Sequence, residues 1–184
     1  MSLKIESGMY KGLSFDTVSD KKTRYTPAQL RRTLMNIFDF SDSKLLEVFG
    51  GSGSVSFEII SNGALSSVII EQNSRSVSTI IKNAKNLNLS DKIKVVKSDY
   101  RIAFEKLKSD GEKFDYIFAD PPFNLNFCNE FLNITDSCSE IINTGGFIIL
   151  EHSKHESVEK VLKNFIHDES RNYGDIDIEI FIKK

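Results

Sequence analysis

Two hydrophobic patterns alternate along the chain. Short apolar runs bounded by Gly, Asn or Asp predict buried strands, and apolar residues spaced three or four positions apart predict helices. The predicted inner strands are residues 44–49, 67–71, 92–97, 114–119 and 147–150. The predicted helices after them are residues 55–61, 74–87, 100–107, 126–142 and 156–162. This alternation predicts an α/β fold, a Rossmann-like, doubly wound and mostly parallel sheet.

Both ends of the chain depart from this pattern. Residues 3–5 and 13–15 flank a turn region with two glycines and predict a short hairpin, which a helix follows. Pro27 opens that helix, with Thr26 as its predicted cap. Near the other end, Ile alternates with other residues from 176 to 182, which predicts a half-buried, edge-type strand added antiparallel to the sheet. We therefore expect an N-terminal extension over 1–40 and a main domain over 41–184.

Composition narrows the class of protein. The chain has 184 residues, 40% of them hydrophobic and 27% charged, which predicts one folded domain. No apolar run approaches the roughly 18 residues of a membrane helix, and the first residues lack the apolar core of a secretion signal. Two cysteines and three histidines do not form a disulfide scaffold or a zinc pattern. We expect a cytoplasmic protein without a metal site.

Charge is unevenly distributed. The formal net charge is −2, yet residues 1–32 hold seven basic and three acidic residues. A basic leading segment on an acidic body indicates one surface that faces phosphates. A solvated run of charge explains the same pattern equally well. The candidate phosphate contacts are Lys22, Arg24, Arg31 and Arg32.

Acidic residues lie at the ends of three predicted strands, at the sheet edge where ligands bind in folds of this kind. Glu47 precedes a loop with Gly51, Ser52 and Gly53, whose glycines permit a sharp turn and the close approach of a ligand. Ser56 stands where a dinucleotide fingerprint has its third glycine, which disfavours a dinucleotide. Glu71, some 20 residues after the loop, suits the two hydroxyls of a ribose. Asp99 could bind a ligand, cap the next helix, or do both.

The most specific motif is Asp120-Pro121-Pro122-Phe123, which directly follows a predicted strand. Its two prolines fix the backbone and remove two N–H donors. The Asp120 carboxylate and the Pro121 carbonyl can then both accept hydrogen bonds from one amino group, and Phe123 offers a flat face to a planar ring. The motif therefore predicts a site for an exocyclic amine on a base.

The strand-end acids, the glycine loop and the Asp120–Phe123 motif together resemble S-adenosylmethionine-dependent amino-methyltransferases. Residues 24–36 narrow the resemblance to the bacterial 16S ribosomal RNA (guanine(966)-N(2))-methyltransferase family, over essentially the whole chain. Two departures lie in this segment. The family's Arg-Pro-Thr appears as Arg24-Tyr25-Thr26, and its Arg-Glu-Thr as Arg31-Arg32-Thr33.

The resemblance implies methyl transfer from S-adenosylmethionine to the N2 amine of a guanine in 16S ribosomal RNA, either free or in the small ribosomal subunit. It implies a monomer that needs no metal or membrane. The implied cofactor contacts are Glu47, Phe49, Gly51, Ser52, Gly53, Glu71, Asp99 and Tyr100. The implied catalytic residues are Asp120, Pro121, Pro122 and Phe123. The implied contacts with RNA phosphates are Lys22, Arg24, Arg31 and Arg32.

Three alternatives stay open. A DNA adenine-N6 or cytosine-N4 methyltransferase uses the same motif, but such enzymes usually need a separate target-recognition region. A methyltransferase of protein glutamine or of a small molecule more often has Asn in place of Asp120. A non-catalytic RNA-binding or assembly factor could keep the fold, and a cofactor titration would identify it.

Overall fold

The computed structural model describes residues 2–18, 26–123 and 127–184. The first described elements form an antiparallel hairpin of β1 (Ser2–Lys4) and β2 (Ser14–Asp16), followed by α1 (Ala28–Ile37). The predicted hairpin and helix are confirmed. The predicted Thr26 cap is wrong, because Pro27 occupies the N-cap position of α1 and the Thr26 carbonyl accepts a hydrogen bond from the Arg31 side chain instead.

The rest of the described chain forms one sheet with helices on both faces. Its strands are β3 (Lys44–Val48), β4 (Ser66–Glu71), β5 (Ile93–Lys97), β6 (Phe114–Ala119), β7 (Ile142–Ser153), β8 (Phe165–Tyr173) and β9 (Ile176–Lys183). Its helices are α2 (Ser54–Ser61), α3 (Ser74–Asn86), α4 (Tyr100–Ser109), α5 (Phe127–Ser137) and a short 3-10 helix at Ser139–Ile141. The spatial order is β5-β4-β3-β6-β7-β9-β8, with β3 to β7 parallel and β9 antiparallel to both neighbours. This confirms the predicted fold class.

The final strand of the chain differs from its prediction. β9 is antiparallel, as predicted, but it lies between β7 and β8 and is not an edge strand. Ile178 and Phe181 of β9 are buried on opposite faces of the sheet, because helices or chain segments cover both faces at this position. The edge position belongs to β8, a strand that the sequence analysis did not predict.

The predicted helix over 156–162 is wrong. These residues form an irregular segment whose backbone is held by side chains of α5. Asn129 accepts a hydrogen bond from the Glu159 amide and donates one to the Ser157 carbonyl. The Asp136 carboxylate accepts from the amides of residues 163 and 164. These tertiary hydrogen bonds replace the local ones that a helix would have made.

The helix predicted over 126–142 is also too long. It ends at Ser137, and the last predicted residue, Ile142, is the first residue of β7, which contains Gly145 and Gly146. A Cβ atom on Gly146 would lie 2.8 Å from the Asp115 carbonyl oxygen, so only glycine fits this position against β6. The start predicted at residue 126 lies outside the described residues.

Two hydrophobic clusters cover the two faces of the sheet. The first contains residues of α1, α2 and α3, and the second contains residues of α4 and α5. The N-terminal hairpin contributes Ile5 and Phe15 to the first cluster, where the rings of Phe15 and Phe57 lie 5.0 Å apart. The boundary proposed at residue 40 thus falls inside a continuous hydrophobic cluster, and it stays a prediction. In the described part of the chain, no helix has the length and hydropathy needed to cross a membrane.

Candidate active site

A cleft of about 610 Å³ opens at the carboxyl ends of the central parallel strands. It is lined by Phe49, Gly51, Glu71, Asp99 and Tyr100 of the predicted cofactor site and by Asp120, Pro122 and Phe123 of the predicted catalytic motif. Glu47 and Ser52 line a small adjoining cavity that shares Phe49, Gly51 and Asp120 with the cleft. The structure therefore brings together, at one edge of the sheet, residues that lie more than 70 positions apart in sequence.

The loop after β3 reaches this position through unusual backbone angles. Phe49, Gly51 and Gly53 have φ values of 62°, 54° and 71°, in the left-handed region. For Phe49 this conformation is strained, and its ring is held among Tyr100 and the rings of α5, with the Tyr100 centroid 4.9 Å away. Gly50 is required for a different reason, because a Cβ there would lie 2.2 Å from the Ile69 side chain. The loop after β3 therefore combines strained backbone angles with close packing against β4.

Glu47 is buried at the end of β3. Its Oε2 atom accepts a hydrogen bond from the backbone N–H of Ser56 at 2.9 Å and another from the Ser56 hydroxyl. Burial raises the pKa of Glu47 to about 7, and the hydrogen bonds from Ser56 oppose that rise. In the sequence, Ser56 was notable only because a dinucleotide fingerprint has a glycine at that position. The structure shows that Ser56 fixes the orientation of the Glu47 carboxylate.

The Glu71 carboxylate connects two loops at the floor of the cleft. Its Oε2 atom accepts from the Gly51 N–H at 2.8 Å, and its Oε1 atom accepts from the Asn73 N–H at 2.7 Å. An ionised carboxylate has about four acceptor positions, so each oxygen keeps capacity for one more donor. Glu71 is thus oriented by the backbone and still able to accept from two ligand hydroxyls.

Asp99 caps the next helix, as one of its two interpretations predicted, and its contact with a ligand stays a prediction. It is the N-cap of α4, where its side chain accepts from the Arg101 N–H at 2.9 Å, and it also lines the cleft. Its second oxygen accepts from Nη1 of Arg101 at 2.8 Å. The other two guanidinium nitrogens of Arg101 donate to Glu130 of α5, at 2.6 and 2.8 Å. The contact between Arg101 and Glu130 could not be predicted, since no sequence signal links residues 29 positions apart.

The Asp120–Phe123 motif begins where β6 ends. Asp120 borders both cavities, and Pro122 and Phe123 line the cleft. Pro121 is buried, Pro122 is exposed, and the half-buried Phe123 packs against the first hydrophobic cluster. The motif therefore presents its acid and its ring to the same cleft that Glu71 and Asp99 line.

The predicted basic contacts divide into three cases. Lys22 and Arg24 lie outside the described residues. The interpretation of Arg31 as a phosphate contact is wrong, because its side chain is 1% exposed and its nitrogens bind the carbonyls of Thr26 and Lys4 and the carboxylate of Glu58. Arg32 is 54% exposed and pairs with Glu6 at 2.9 Å, so its contact with phosphates stays a prediction.

Arg31 belongs to a cluster that holds the N-terminal hairpin against α2. Glu58 accepts hydrogen bonds from the backbone amides of Glu6 and Ser7 and from the Ser7 hydroxyl, at 2.7 to 3.1 Å. Arg31 adds an ion pair to Glu58 at 3.4 Å and one to Glu6 at 3.6 Å. We call Glu6, Arg31 and Glu58 the hairpin anchor. Across the described residues, no group of His, Cys, Asp and Glu side chains is arranged to hold a metal ion.

Comparison with known proteins gives a family and a fold. The family model described as "Conserved hypothetical protein 95" matches residues 3–182. The chain is 24% identical to "Putative rRNA methyltransferase YlbH" of Bacillus subtilis, over 99% of this chain and 100% of that protein. It is 28% identical to "Ribosomal RNA small subunit methyltransferase D" of Buchnera aphidicola, over 84% of this chain and 80% of that protein.

Solved structures share the fold at lower identity. "Putative methyltransferase yhhF from Escherichia coli" superposes with a TM-score of 0.86 at 22% identity, over 100% of this chain and 99% of that chain. "Crystal structure of SMU.776, a putative methyltransferase complexed with SAH" superposes with a TM-score of 0.76 at 15% identity, over 93% of this chain and 54% of that chain. At these identities the likeness establishes the fold alone.

Proposed function

The chain belongs to the family described as Conserved hypothetical protein 95, and on that basis we propose that it transfers a methyl group from S-adenosylmethionine to ribosomal RNA. The names of its relatives support ribosomal RNA as the substrate. A structural neighbour complexed with SAH, the demethylated cofactor, supports the cofactor. These findings agree with the resemblance seen in the sequence.

The observation that carries this proposal is a single cleft lined by Glu71, Asp99 and Asp120. Glu71 would accept hydrogen bonds from the ribose hydroxyls of the cofactor, and Asp99 from the amine of its adenine. Glu47 and the glycine loop would hold its methionine end. Asp120 would then face the target amine from the end of the next strand, β6. The proposed cofactor contacts and acceptor contacts thus border one cleft and its adjoining cavity.

S-adenosylmethionine supplies an electrophilic methyl group on a sulfonium sulfur. The lone pair of an exocyclic base amine is delocalised into the ring, so the amine must be oriented before it reacts. The Asp120 carboxylate and the Pro121 carbonyl would accept its two N–H groups and direct the lone pair at the methyl carbon. Holding the two reacting atoms about 3 Å apart supplies much of the rate. Asp120 would take the proton that the nitrogen loses after the N–C bond forms and the S–C bond breaks.

We propose that the target is the N2 amine of a guanine in 16S ribosomal RNA, free or within the small subunit. The names of the small-subunit methyltransferases among the relatives support this substrate. The base would have to leave its stack to enter the cleft, where Phe123 offers a ring for stacking. Exposed Arg32 lies in the predicted RNA-facing segment and would contact phosphates. We propose that the enzyme acts as a monomer.

A methyl-transfer assay with labelled S-adenosylmethionine tests the proposal. The substrates are unmodified 16S RNA, small ribosomal subunits and duplex DNA, followed by nucleoside analysis, with Asp120→Ala as the inactive control. We expect label in N2-methylguanosine from ribosomal RNA. Label in methylated DNA bases would overturn the proposal that ribosomal RNA is the substrate. Absence of both label and cofactor binding would favour the non-catalytic factor.

A further inference from the structure

The guanidinium group of Arg101 joins the two sides of the cleft. Arg101 lies in the first turn of α4, after β5, and contacts Asp99 on the same side. Its fork also binds both oxygens of Glu130, which lies in α5 beyond the Asp120–Phe123 motif. The bidentate contact fixes both the distance and the plane of the two groups, which a lysine could not do.

Two aromatic rings of the cleft lie close to the same guanidinium group. Its central carbon lies 4.7 Å from the centroid of the Tyr100 ring and 5.8 Å from that of the Phe127 ring. Both rings line the cleft, and Phe127 is the first residue of α5. Arg101 therefore contacts the candidate adenine acceptor, two aromatic rings of the cleft and the helix that follows the motif.

We propose that Arg101 is a positioning residue: it orients the Asp99 carboxylate toward the adenine amine of the cofactor and couples that carboxylate to α5 through Glu130. The proposal rests on the proposed function, because it assigns Asp99 to adenine. Both Asp99 oxygens accept from Arg101, one from its backbone N–H and one from Nη1. The lone pairs that remain therefore have fixed directions, which is what recognition of a single amine requires.

The same helix offers a matched comparison. Lys108, at the far end of α4, forms an ion pair with Glu140 at 3.1 Å, and neither residue lines the cleft. Both pairs join α4 to a later element, and both are partly exposed. An exposed pair of this kind contributes little to stability. If the Arg101 pair were an ordinary surface pair, removing either pair would have the same consequences.

The first test replaces Arg101 with Met and measures binding of two probes by calorimetry. S-adenosylhomocysteine carries the adenine amine, and S-inosylhomocysteine carries an oxygen in its place. We expect Arg101→Met to weaken S-adenosylhomocysteine binding about tenfold and S-inosylhomocysteine binding less than threefold, because the Asp99 carboxylate loses its orientation. An equal loss for both probes, or no loss for either, would overturn the orienting role.

The second test measures hydrogen exchange of the α5 amides with and without S-adenosylhomocysteine. In the wild-type protein we expect the ligand to slow exchange in α5. The slowing should largely disappear in Glu130→Gln and persist in Glu140→Gln, the matched control. Equal slowing in the two variants, or none in the wild-type protein despite saturation, would overturn the coupling. Thermal melts of all three variants confirm that they are folded.

Failure of the inference is distinguishable from failure of the proposed function. A wild-type protein that does not bind S-adenosylhomocysteine contradicts the proposed function itself. A wild-type protein that binds it, with no specific effect of Arg101→Met or Glu130→Gln, contradicts only the role of Arg101. Loss of binding in Arg101→Met together with a lowered melting temperature would assign Arg101 a structural role.

Discussion

The hairpin anchor and the cluster around Arg101 are built from the same residue types in opposite environments. Each centres on one arginine that contacts two carboxylates. Arg31 and Glu58 of the anchor are each 1% exposed, whereas Arg101 and Glu130 are 39% and 43% exposed, and Arg101 lines an open cleft. The comparison shows that burial, which the charge pattern does not encode, separates an arginine that holds the fold from one that faces a ligand.

The two clusters should therefore respond differently to mutation. Removing one partner of a buried ion pair leaves the other charge in a poorly solvated site, which destabilises the folded state by several kcal/mol. Removing a partner at the cleft leaves charges that water can still reach, so the cost appears in binding or turnover. Five experiments, from the largest expected effect to the smallest, test this separation.

Asp120→Ala should give the largest effect and confine it to catalysis. The variant loses the carboxylate that accepts from the target amine, so we expect turnover to fall about 10³-fold or more, within the range for acid–base groups combined with positioning. The melting temperature should hardly change, and the affinity for S-adenosylhomocysteine should stay within a few fold of the wild-type value. If calorimetry showed that cofactor binding is lost, Asp120 would have a structural role, and the contrast between the buried hairpin anchor and the cleft residues would be weaker.

Arg31→Met should give the converse result. Its removal leaves Glu58 buried with an unpaired charge, so we expect the free energy of unfolding to drop by about 3 to 5 kcal/mol. Urea unfolding measures this change, and Arg32→Met on the exposed face of the same helix is the matched control, with about 0.5 kcal/mol expected. Similar losses in the two variants would mean that the buried cluster does not hold the hairpin.

Glu71→Ala should weaken cofactor binding. The variant removes two acceptor oxygens for the ribose hydroxyls and also the contact to the Gly51 amide. We expect the Kd for S-adenosylhomocysteine to rise about 10- to 100-fold, equivalent to about 1.4 to 2.7 kcal/mol. Glu112→Ala, which removes a surface carboxylate that does not line the cleft, is the control. Unchanged affinity in a calorimetric titration of Glu71→Ala would remove the ribose assignment.

Glu47 should make cofactor affinity depend on pH. Its pKa is raised to about 7, so below that pH the carboxyl is protonated and cannot pair with the ammonium group of the cofactor. We expect up to tenfold weaker binding per pH unit below 7, and a flatter profile in Glu47→Gln. Because the folded pKa exceeds the ordinary value of 4.5, Glu47 should also lower the free energy of unfolding as pH rises from 4.5 to 7. A wild-type cofactor affinity that does not change with pH would contradict the assignment of Glu47 to the methionine end of the cofactor.

Arg32→Ala should have the smallest effect. Arg32 is exposed and its pair with Glu6 is on the surface, so stability should hardly change. Loss of one phosphate contact should weaken RNA binding a few fold and lower the slope of log affinity against log salt by about one. Filter binding at several salt concentrations measures the slope, with Lys82→Ala, whose lysine pairs with Asp16 on the surface, as the control. An unchanged slope would remove Arg32 from the RNA surface.

Much of the fold was predictable because the inner strands are continuous apolar runs. β6 occupies the predicted residues, and the acids at the carboxyl ends of β3, β4 and β5 lie at one edge, as parallel strands require. β8 was missed because it lies at the edge of the sheet and all of its residues between Ile166 and Tyr173 are polar, so it has neither a continuous apolar run nor an apolar alternation. The residues that hold the cleft together were missed because Arg101 and Glu130 meet only after α4 and α5 pack side by side.

The position of β9 sets the order in which the chain completes its sheet. β9 follows β8 in sequence but lies inside it in space, hydrogen-bonded to β7 over residues 147–153. While the protein is being synthesised, β7 must therefore keep an open edge until β9 has left the exit tunnel of the ribosome. An open apolar edge invites pairing with other chains. We infer that the interval between synthesis of β7 and release of β9 is the period in which this protein is most prone to aggregate.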